Sequence, residues 1–149
     1  IVYALGGRRN TAIAVRAGGK GDVTDSHVVW RTNKGANVTS PVYLDGHLYW
    51  VHDTRGIAYC LNAETGEVVC DDRLDERPGV VYASVTAADG KLFVPSRENG
   101  TFVLEAKPEP RLLAVNTFED DESRTNASIV VHDNQLLLRT DKGLYCIGQ

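Results

Sequence analysis

The chain has 149 residues, enough for one ordinary domain, and its 42% hydrophobic and 24% charged content is that of a soluble globular fold. A net charge of −4 gives no electrostatic reason to seek nucleic acid or an anionic membrane surface as a partner. No apolar run approaches the length of a membrane span, and no signal-peptide pattern is present.

Residues 1–5 read as an apolar strand ending at Gly6-Gly7, and residues 11–16, TAIAVR, as its neighbour. Residues 17–22, AGGKGD, are glycine-rich. Backbone N–H groups in such loops can cradle anions. Here no Gly-Lys-Ser/Thr ending and no following helix completes a phosphate loop, so the stretch reads as an enlarged hairpin loop. Residues 27–32 read as an outer strand, with Trp30 covering a neighbouring unit.

Residues 40–74 hold four short strands. Residues 40–44 stop at Asp45-Gly46, which supplies the positive φ angles of a tight hairpin. Residues 47–51 follow, then residues 57–61 after Gly56, then the turn Ala63-Glu64-Thr65-Gly66, then residues 67–70. Residues 71–79, DDRLDERPG, are a charged connector that Pro78 keeps out of a sheet. Further strands are expected near 81–87, 91–95, 100–106 and 111–116, and then near 127–131, 135–139 and 144–147. Between the two sets lies FEDDESR, residues 118–124. No segment has apolar residues at helical spacing, so no helix is expected.

An offset of 44 superimposes the sequence on itself. Ser40 falls on Ser84 and Ser128, Asp45 on Asp89 and Asp133, and Leu48 on Leu92 and Leu136. Four strands cannot bury a core alone, so each unit must stack on copies of itself. The fold class is therefore all-β, with β-propeller blades of four antiparallel strands. A β-sandwich with evenly spaced hairpins is the alternative, but it has no reason to repeat residue types in register. The repeats run over about residues 1–34, 35–79, 80–122 and 123–149, giving about 3.5 blades. The first repeat lacks its first strand and the last its fourth. With no Met at the start, the expectation is a piece of a seven- or eight-bladed parent. A second copy closing the ring is the other reading, since open sheet edges need covering.

Residues 60–70, CLNAETGEVVC, resemble the eleven-residue repeat of quinoprotein-like (PQQ-like) propellers, Ala-x-Asp-x-x-Thr-Gly-x-x-x-Trp. Thr65 and Gly66 match, and Asn62 stands for Asp, but Cys60 and Cys70 replace the terminal Ala and Trp. Residues 104–108 keep the strand and lose the Thr-Gly turn, while Val28-Val29-Trp30-Arg31 keeps the Trp-plus-basic ending. That family includes PQQ-dependent alcohol dehydrogenases and non-enzymatic relatives of the outer-membrane assembly lipoprotein BamB. The chain as a whole is similar to secreted PQQ-like repeat proteins of planctomycete-type bacteria. The resemblance implies a periplasmic or secreted location in the cell envelope.

Three cysteines occur. Cys60 and Cys70 flank one turn, and a disulfide would need a pairing sum of 130. A plain four-residue loop gives 129 and puts the thiols on opposite faces, unless a bulge intervenes. Either a bridge or two small buried thiols fits the residues. Cys146 lies apart.

Chemistry-bearing clusters are sparse. Glu119-Asp120-Asp121-Glu122 lacks the spacing of a calcium loop and reads as a solvated connector. His47, His52 and Asp53 suggest a base with an orienting carboxylate, but no nucleophile is placed beside them. Asn37, Asn99 and Asn126 begin Asn-x-Ser/Thr triplets. The segments 37–41, 82–85 and 126–129 are the expected channel-lining strands, so Asn37, Tyr82 and Asn126, with Arg124, are the candidate ligand-binding residues. No catalytic or metal-ligating residue is assigned.

A quinoprotein dehydrogenase needs an aromatic platform, a calcium site, an acidic base and often adjacent cysteines. The resemblance thus implies PQQ and calcium only if the chain is a dehydrogenase fragment. No adjacent cysteines exist, and Trp30 and Trp50 lie on strands expected to face neighbouring blades. The favoured expectation is a non-catalytic scaffold for a protein or glycan, without cofactor. A WD-type scaffold is disfavoured by the lack of a Gly-His…Trp-Asp signature.

Overall fold

In a computed structural model, which describes residues 1–148, the chain lays down four antiparallel sheets in succession. The first holds β1 (Val2–Gly6), β2 (Thr11–Val15) and β3 (Val28–Thr32), with a helical turn α1 (Thr24–His27) before β3. The second holds β4 (Val42–Leu44), β5 (His47–Val51), β6 (Ile57–Asn62) and β7 (Val68–Arg73). The third holds β8 (Thr86–Ala88), β9 (Lys91–Pro95), β10 (Thr101–Glu105) and β11 (Leu112–Asn116). The fourth holds β12 (Val130–His132), β13 (Gln135–Arg139) and β14 (Leu144–Ile147). Every strand pairs with its sequence neighbour, so all connections within a sheet are local.

The repeated turns explain this rhythm. Asp45 and Gly46 have φ of 47° and 79°, Asp89 and Gly90 47° and 66°, and Asp133 and Asn134 45° and 61°. Left-handed φ at both central residues is the type I′ hairpin, whose twist matches the strands it joins.

Packing decides the architecture. In the second sheet, Leu48, Trp50, Tyr59 and Leu61 pack with Ala12, Tyr3 and Trp30 of the first. The alternate residues Tyr49, Val51, Ala58 and Cys60 pack with Leu92, Val94, Phe102 and Leu104 of the third. Strand side chains alternate between faces, so this sheet is buried on both sides. A two-layer sandwich buries one face of each sheet. Sheets that each take a different neighbour on each face fan into an arc, which is a partial β-propeller. Each large side chain buried this way contributes roughly 1.5–3 kcal/mol.

Three expectations need correction. First, residues 24–27 form a helical turn where none was expected. Its leading amide, Thr24 N–H, donates to Asp22 Oδ1 at 3.0 Å. A carboxylate already occupies that N-terminus, which fits a capped loop and not an anion cradle. Second, the inner strands are only three residues long and begin later than expected. Segments 37–41, 82–85 and 126–129 all lie outside the ladders, and in the first two a serine amide bonds across blades instead. Ser40 N–H donates to Ser84 Oγ at 3.2 Å, and Ser84 N–H to Ser128 Oγ at 2.9 Å. Third, β7 runs on to Arg73 through what read as connector, with Asp71 opposite Tyr59 and Asp72 opposite Ala58. An outer edge strand tolerates charges that a central one does not.

The register change that admits Asp71 and Asp72 is a bulge. Leu61 pairs with Val68, but Cys60 pairs with Cys70, so the shift lies between Cys60 and Leu61. Both cysteines join the same core cluster, and both are free thiols.

Connectors are stitched to the blade behind them. Gly35 N–H donates to Asn10 O at 2.7 Å, Val81 N–H to Asp53 O at 2.9 Å, and Thr125 N–H to Arg97 O at 3.0 Å. The same connectors accept from their own blade, Arg97 N–H to Val80 O at 2.8 Å and Asp141 N–H to Arg124 O at 2.9 Å. This peptide belt fixes one rim of the arc, where the candidate site lies. Among the described residues no helix is long and apolar enough to cross a membrane.

Candidate functional site

The rim between the third and fourth blades gathers the most side-chain chemistry. Its base is the turn after β9. Ser96 Oγ donates to Pro78 O at 2.5 Å and accepts the Asn99 amide at 3.0 Å. A hydroxyl used twice locks the turn onto the connector. Arg97 and Glu98 then project from a fixed backbone.

Arg97 places its guanidinium carbon 5.4 Å from the centre of the Tyr82 ring, a cation–π contact. Its Nε is buried without a hydrogen-bond partner, and Arg97 makes no ion pair among the described residues. Glu98 takes the other cation, with Arg124 Nε 2.8 Å from its Oε1. That pair is exposed and contributes at most about 1 kcal/mol. Its effect is to hold Arg124 in place.

Across the seam, Asp121 turns inward from the acidic run. The Ser123 amide donates to its Oδ1 at 2.8 Å, while Thr140 Oγ1 and the Tyr145 hydroxyl donate to Oδ2 at 2.6 and 2.7 Å. Hydrogen bonding at Ser123, then at Thr140 and Tyr145, holds the carboxyl well below the usual carboxylate range. Phe118 stacks on Tyr145 with ring centres 3.9 Å apart. Between the Arg97 turn and Asp121 opens a cavity of about 740 Å³, within the size range of small-ligand sites.

The structure brings Tyr82 and Arg124 to this rim. Asn126 lines a smaller recess beside it with Arg124, Arg139 and Asp141. Asn37 lies elsewhere, its amide donating to Asp53 Oδ1 at 3.3 Å. In register the mates of Tyr82 and Asn126 are Val38, not Asn37, and Val38 is exposed like them. Sequence reasoning passed over Arg97, Phe118 and the inward turn of Asp121. One signal was available for Arg97: its register mates are Asp53 and Asp141.

The histidine–aspartate pair does form, but closed. His52 Nδ1 lies 3.2 Å from Asp53 Oδ1, and Nε2 lies 3.2 Å from the Asn10 side-chain nitrogen. Burial lowers the His52 pKa, with Asp53 acting against it. A side chain 4% exposed with both nitrogens occupied presents no base to a substrate. His47 sits at the opposite end of β5 and bonds Asp45 O.

Trp30 Nε1 donates to Ala63 O at 3.0 Å between blades, and Trp50 is buried against Tyr59 with ring centres 5.3 Å apart. Neither indole is free to be a platform. Among the described residues no three His, Cys, Asp or Glu side chains cluster to hold a metal ion.

Comparison with known proteins places the fold. No protein-family model matches the chain, and no curated protein matches it. Among solved structures it is similar to BamB from Moraxella catarrhalis, with TM-score 0.66 and 13% identity, over 98% of this chain and 41% of that one. It is similar to the computationally designed Ika4 protein, with TM-score 0.62 and 15% identity, over 97% of this chain and 89% of that one. It is also similar to quinohemoprotein alcohol dehydrogenase from Comamonas testosteroni, with TM-score 0.54 and 18% identity, over 68% of this chain and 16% of that one. The chain thus spans less than half the length of the BamB structure it matches. At such identities these likenesses show the β-propeller fold alone.

Proposed function

We propose that the chain is a non-catalytic β-propeller scaffold of the bacterial cell envelope, periplasmic or secreted, that presents the rim between its third and fourth blades to a protein or glycan. The single supporting observation is the rim itself. Arg97 and Glu98 are held on a hydrogen-bonded turn beside a cavity, with Tyr82 and Arg124 in contact with them, whereas the His52–Asp53 pair is sealed inside. The remaining blades come from a longer parent chain or from a second copy, which a molecular-mass measurement in solution separates.

A PQQ-dependent dehydrogenase fragment is the competing reading, and the alcohol dehydrogenase likeness keeps it in view. The deciding experiment adds PQQ and calcium to the full-length protein and follows dye-linked alcohol oxidation. The scaffold reading expects no dye reduction above the protein-free control. Turnover that persists after free PQQ is removed overturns it.

A further inference from the structure

We propose that Cys60 and Cys70 are a disulfide-forming pair: in the presence of small-molecule disulfides the two free thiols close to an intrachain bridge that ties the outer strand β7 to β6. Neither residue belongs to the rim between the third and fourth blades, and the bridge forms or fails whatever that rim binds.

The pairing register brings the sulfurs together. Cys60 lies directly opposite Cys70, one step before the bulge. Both side chains enter the same core cluster, at 0% and 8% exposure, so both point to one face of the sheet. Without the extra residue in β7 they would point to opposite faces. Just past the end of the ladder, Leu74 N–H donates to Gly56 O at 2.9 Å. Hydrogen-bonded pairs alternate along an antiparallel ladder, so Cys60 and Cys70 are such a pair, with α-carbons about 5.5 Å apart. Disulfides span α-carbon separations of about 4.4–6.8 Å. Opposed β-carbons stand about 4.5–5.5 Å apart, against about 3.5–4.5 Å in a bridge, so closure asks for a shift of about an ångström. Strand β7 is the outermost of its sheet and is paired on one side only, so it is free to make that shift.

Packing alone does not account for two thiols. The register shift recurs in the first and third blades, and the pair just before it is Ala14–Trp30 in one and Val103–Ala114 in the other. The position therefore calls for an apolar pair and has no need of sulfur. In the second blade both members are cysteine. One buried cysteine serves as a small apolar residue, whereas two set directly opposite on one face have the placement of a bridge. The loop it would close, residues 61–69, contains Ala63, whose carbonyl accepts from Trp30 Nε1 of the first blade. The bridge thus braces the turn on which the first blade docks.

The chemistry is thiol–disulfide exchange. One protein thiolate attacks a sulfur of the small disulfide, whose S–S bond breaks and releases one thiolate. The second protein thiolate then attacks the mixed disulfide at its protein sulfur and expels the other. Two protein thiols are oxidised, one small disulfide is reduced to two thiols, and the two protons pass to them. Burial raises the pKa of both thiols, so exchange is slow in the folded reduced protein and fast while the chain is folding.

The test refolds the full chain from denaturant in a mixture of reduced and oxidised glutathione, alkylates the remaining thiols and maps tryptic peptides by mass spectrometry. Residues 56–73, GIAYCLNAETGEVVCDDR, are one tryptic peptide that holds Cys60 and Cys70, whereas Cys146 lies in another. The expected result is that peptide unalkylated and lighter by the two thiol hydrogens. The bridged protein should melt about 5 °C or more above the reduced one. That gain should vanish in Cys60→Ala and Cys70→Ala, which place there the residue that Ala14 and Ala114 supply in other blades. Should either variant fail to fold, the wild-type peptide mass still decides. Alkylation of both cysteines after refolding in excess oxidised glutathione overturns the proposal, as does glutathione held on either one with no bridge. A bridge to Cys146, or one present in the unfolded chain and lost on folding, overturns it too. A bridged form that melts no higher than the reduced one removes the bracing role.

Discussion

The α-carbon of Gly66 lies against the indole of Trp30. A β-carbon built on Gly66 would stand 2.6 Å from Trp30 Cδ2, and the Trp30 Nε1–H donates to Ala63 O three residues earlier. The Thr-Gly turn of one blade is thus the seat for the tryptophan of the blade before. Asn62 shapes that seat, its Oδ1 accepting the amides of Glu64 at 2.9 Å and Thr65 at 3.0 Å. Sequence repeat and interblade contact are one feature.

Gly66→Ala is expected to destabilise by about 2–4 kcal/mol, combining a left-handed backbone with overpacking. Gly66 has φ of 73°, so the backbone part persists whatever the partner. In the background of Trp30→Ala the steric part disappears, and the same substitution should cost only about 1–2 kcal/mol. Urea denaturation of the four variants measures the difference. Equal costs in both backgrounds would show that the contact carries no energy.

The cysteine pair makes a second prediction. Burial pushes the Cys60 thiol up to about 11, and burial raises Cys70 as well. Thiolate is the reactive form. At neutral pH a thiol reagent should label Cys146 rapidly, since it is exposed, and leave Cys60 and Cys70 until the protein is unfolded. Mass spectrometry of labelled peptides reads the order directly. Early labelling of Cys60 would place the bulge register in doubt.

The blade repeat was legible because turn chemistry and side-chain period are local. Asp45, Asp89 and Asp133 specify their φ angles without help from distant residues. The cysteine register was legible only as a pair of alternatives, since one inserted residue decides it and no local residue announces the bulge. The seam was not legible. Arg97 reaches Tyr82 fifteen positions back, and Asp121 is satisfied by Thr140 and Tyr145 from another blade. Contacts of that span depend on how loops and blades pack together, which a single strand's pattern does not contain. For the same reason segments 37–41 and 82–85 read as strands: small alternating residues look alike whether they bond within a sheet or across a seam.

The serine bonds across that seam are a third prediction. Ser128→Ala removes the acceptor of the Ser84 N–H, and Ser84→Ala that of the Ser40 N–H. The sites are accessible to water, so stability should fall by no more than about 1 kcal/mol. Amide exchange should respond more. Ser84 N–H should exchange faster in Ser128→Ala, while the core amide of Cys60 keeps its protection. Unchanged exchange at Ser84 would show that the bond does not persist in solution.

The last prediction concerns Asp121 and pH. Its carboxyl is depressed below an ordinary value near 3.9, so the stability it contributes is full above about pH 4 and is lost as pH falls through the depressed value. Its partner is shifted the other way. The hydrogen bond to Asp121 raises the Tyr145 phenol, so the contact is also lost when strong base ionises that hydroxyl. The contact therefore weakens at both extremes. Asp121→Asn should be less stable at pH 7 and should lose this share of the acid dependence below pH 4. In the same variant the Tyr145 phenol should titrate at lower pH, as read by ultraviolet absorbance of phenolate. Because Tyr145 stacks on Phe118 at the cavity wall, a freed phenol should also loosen that wall. If the acid limb of the stability curve is identical in wild type and Asp121→Asn, the inward carboxylate is not ionised and the donors around it serve another purpose.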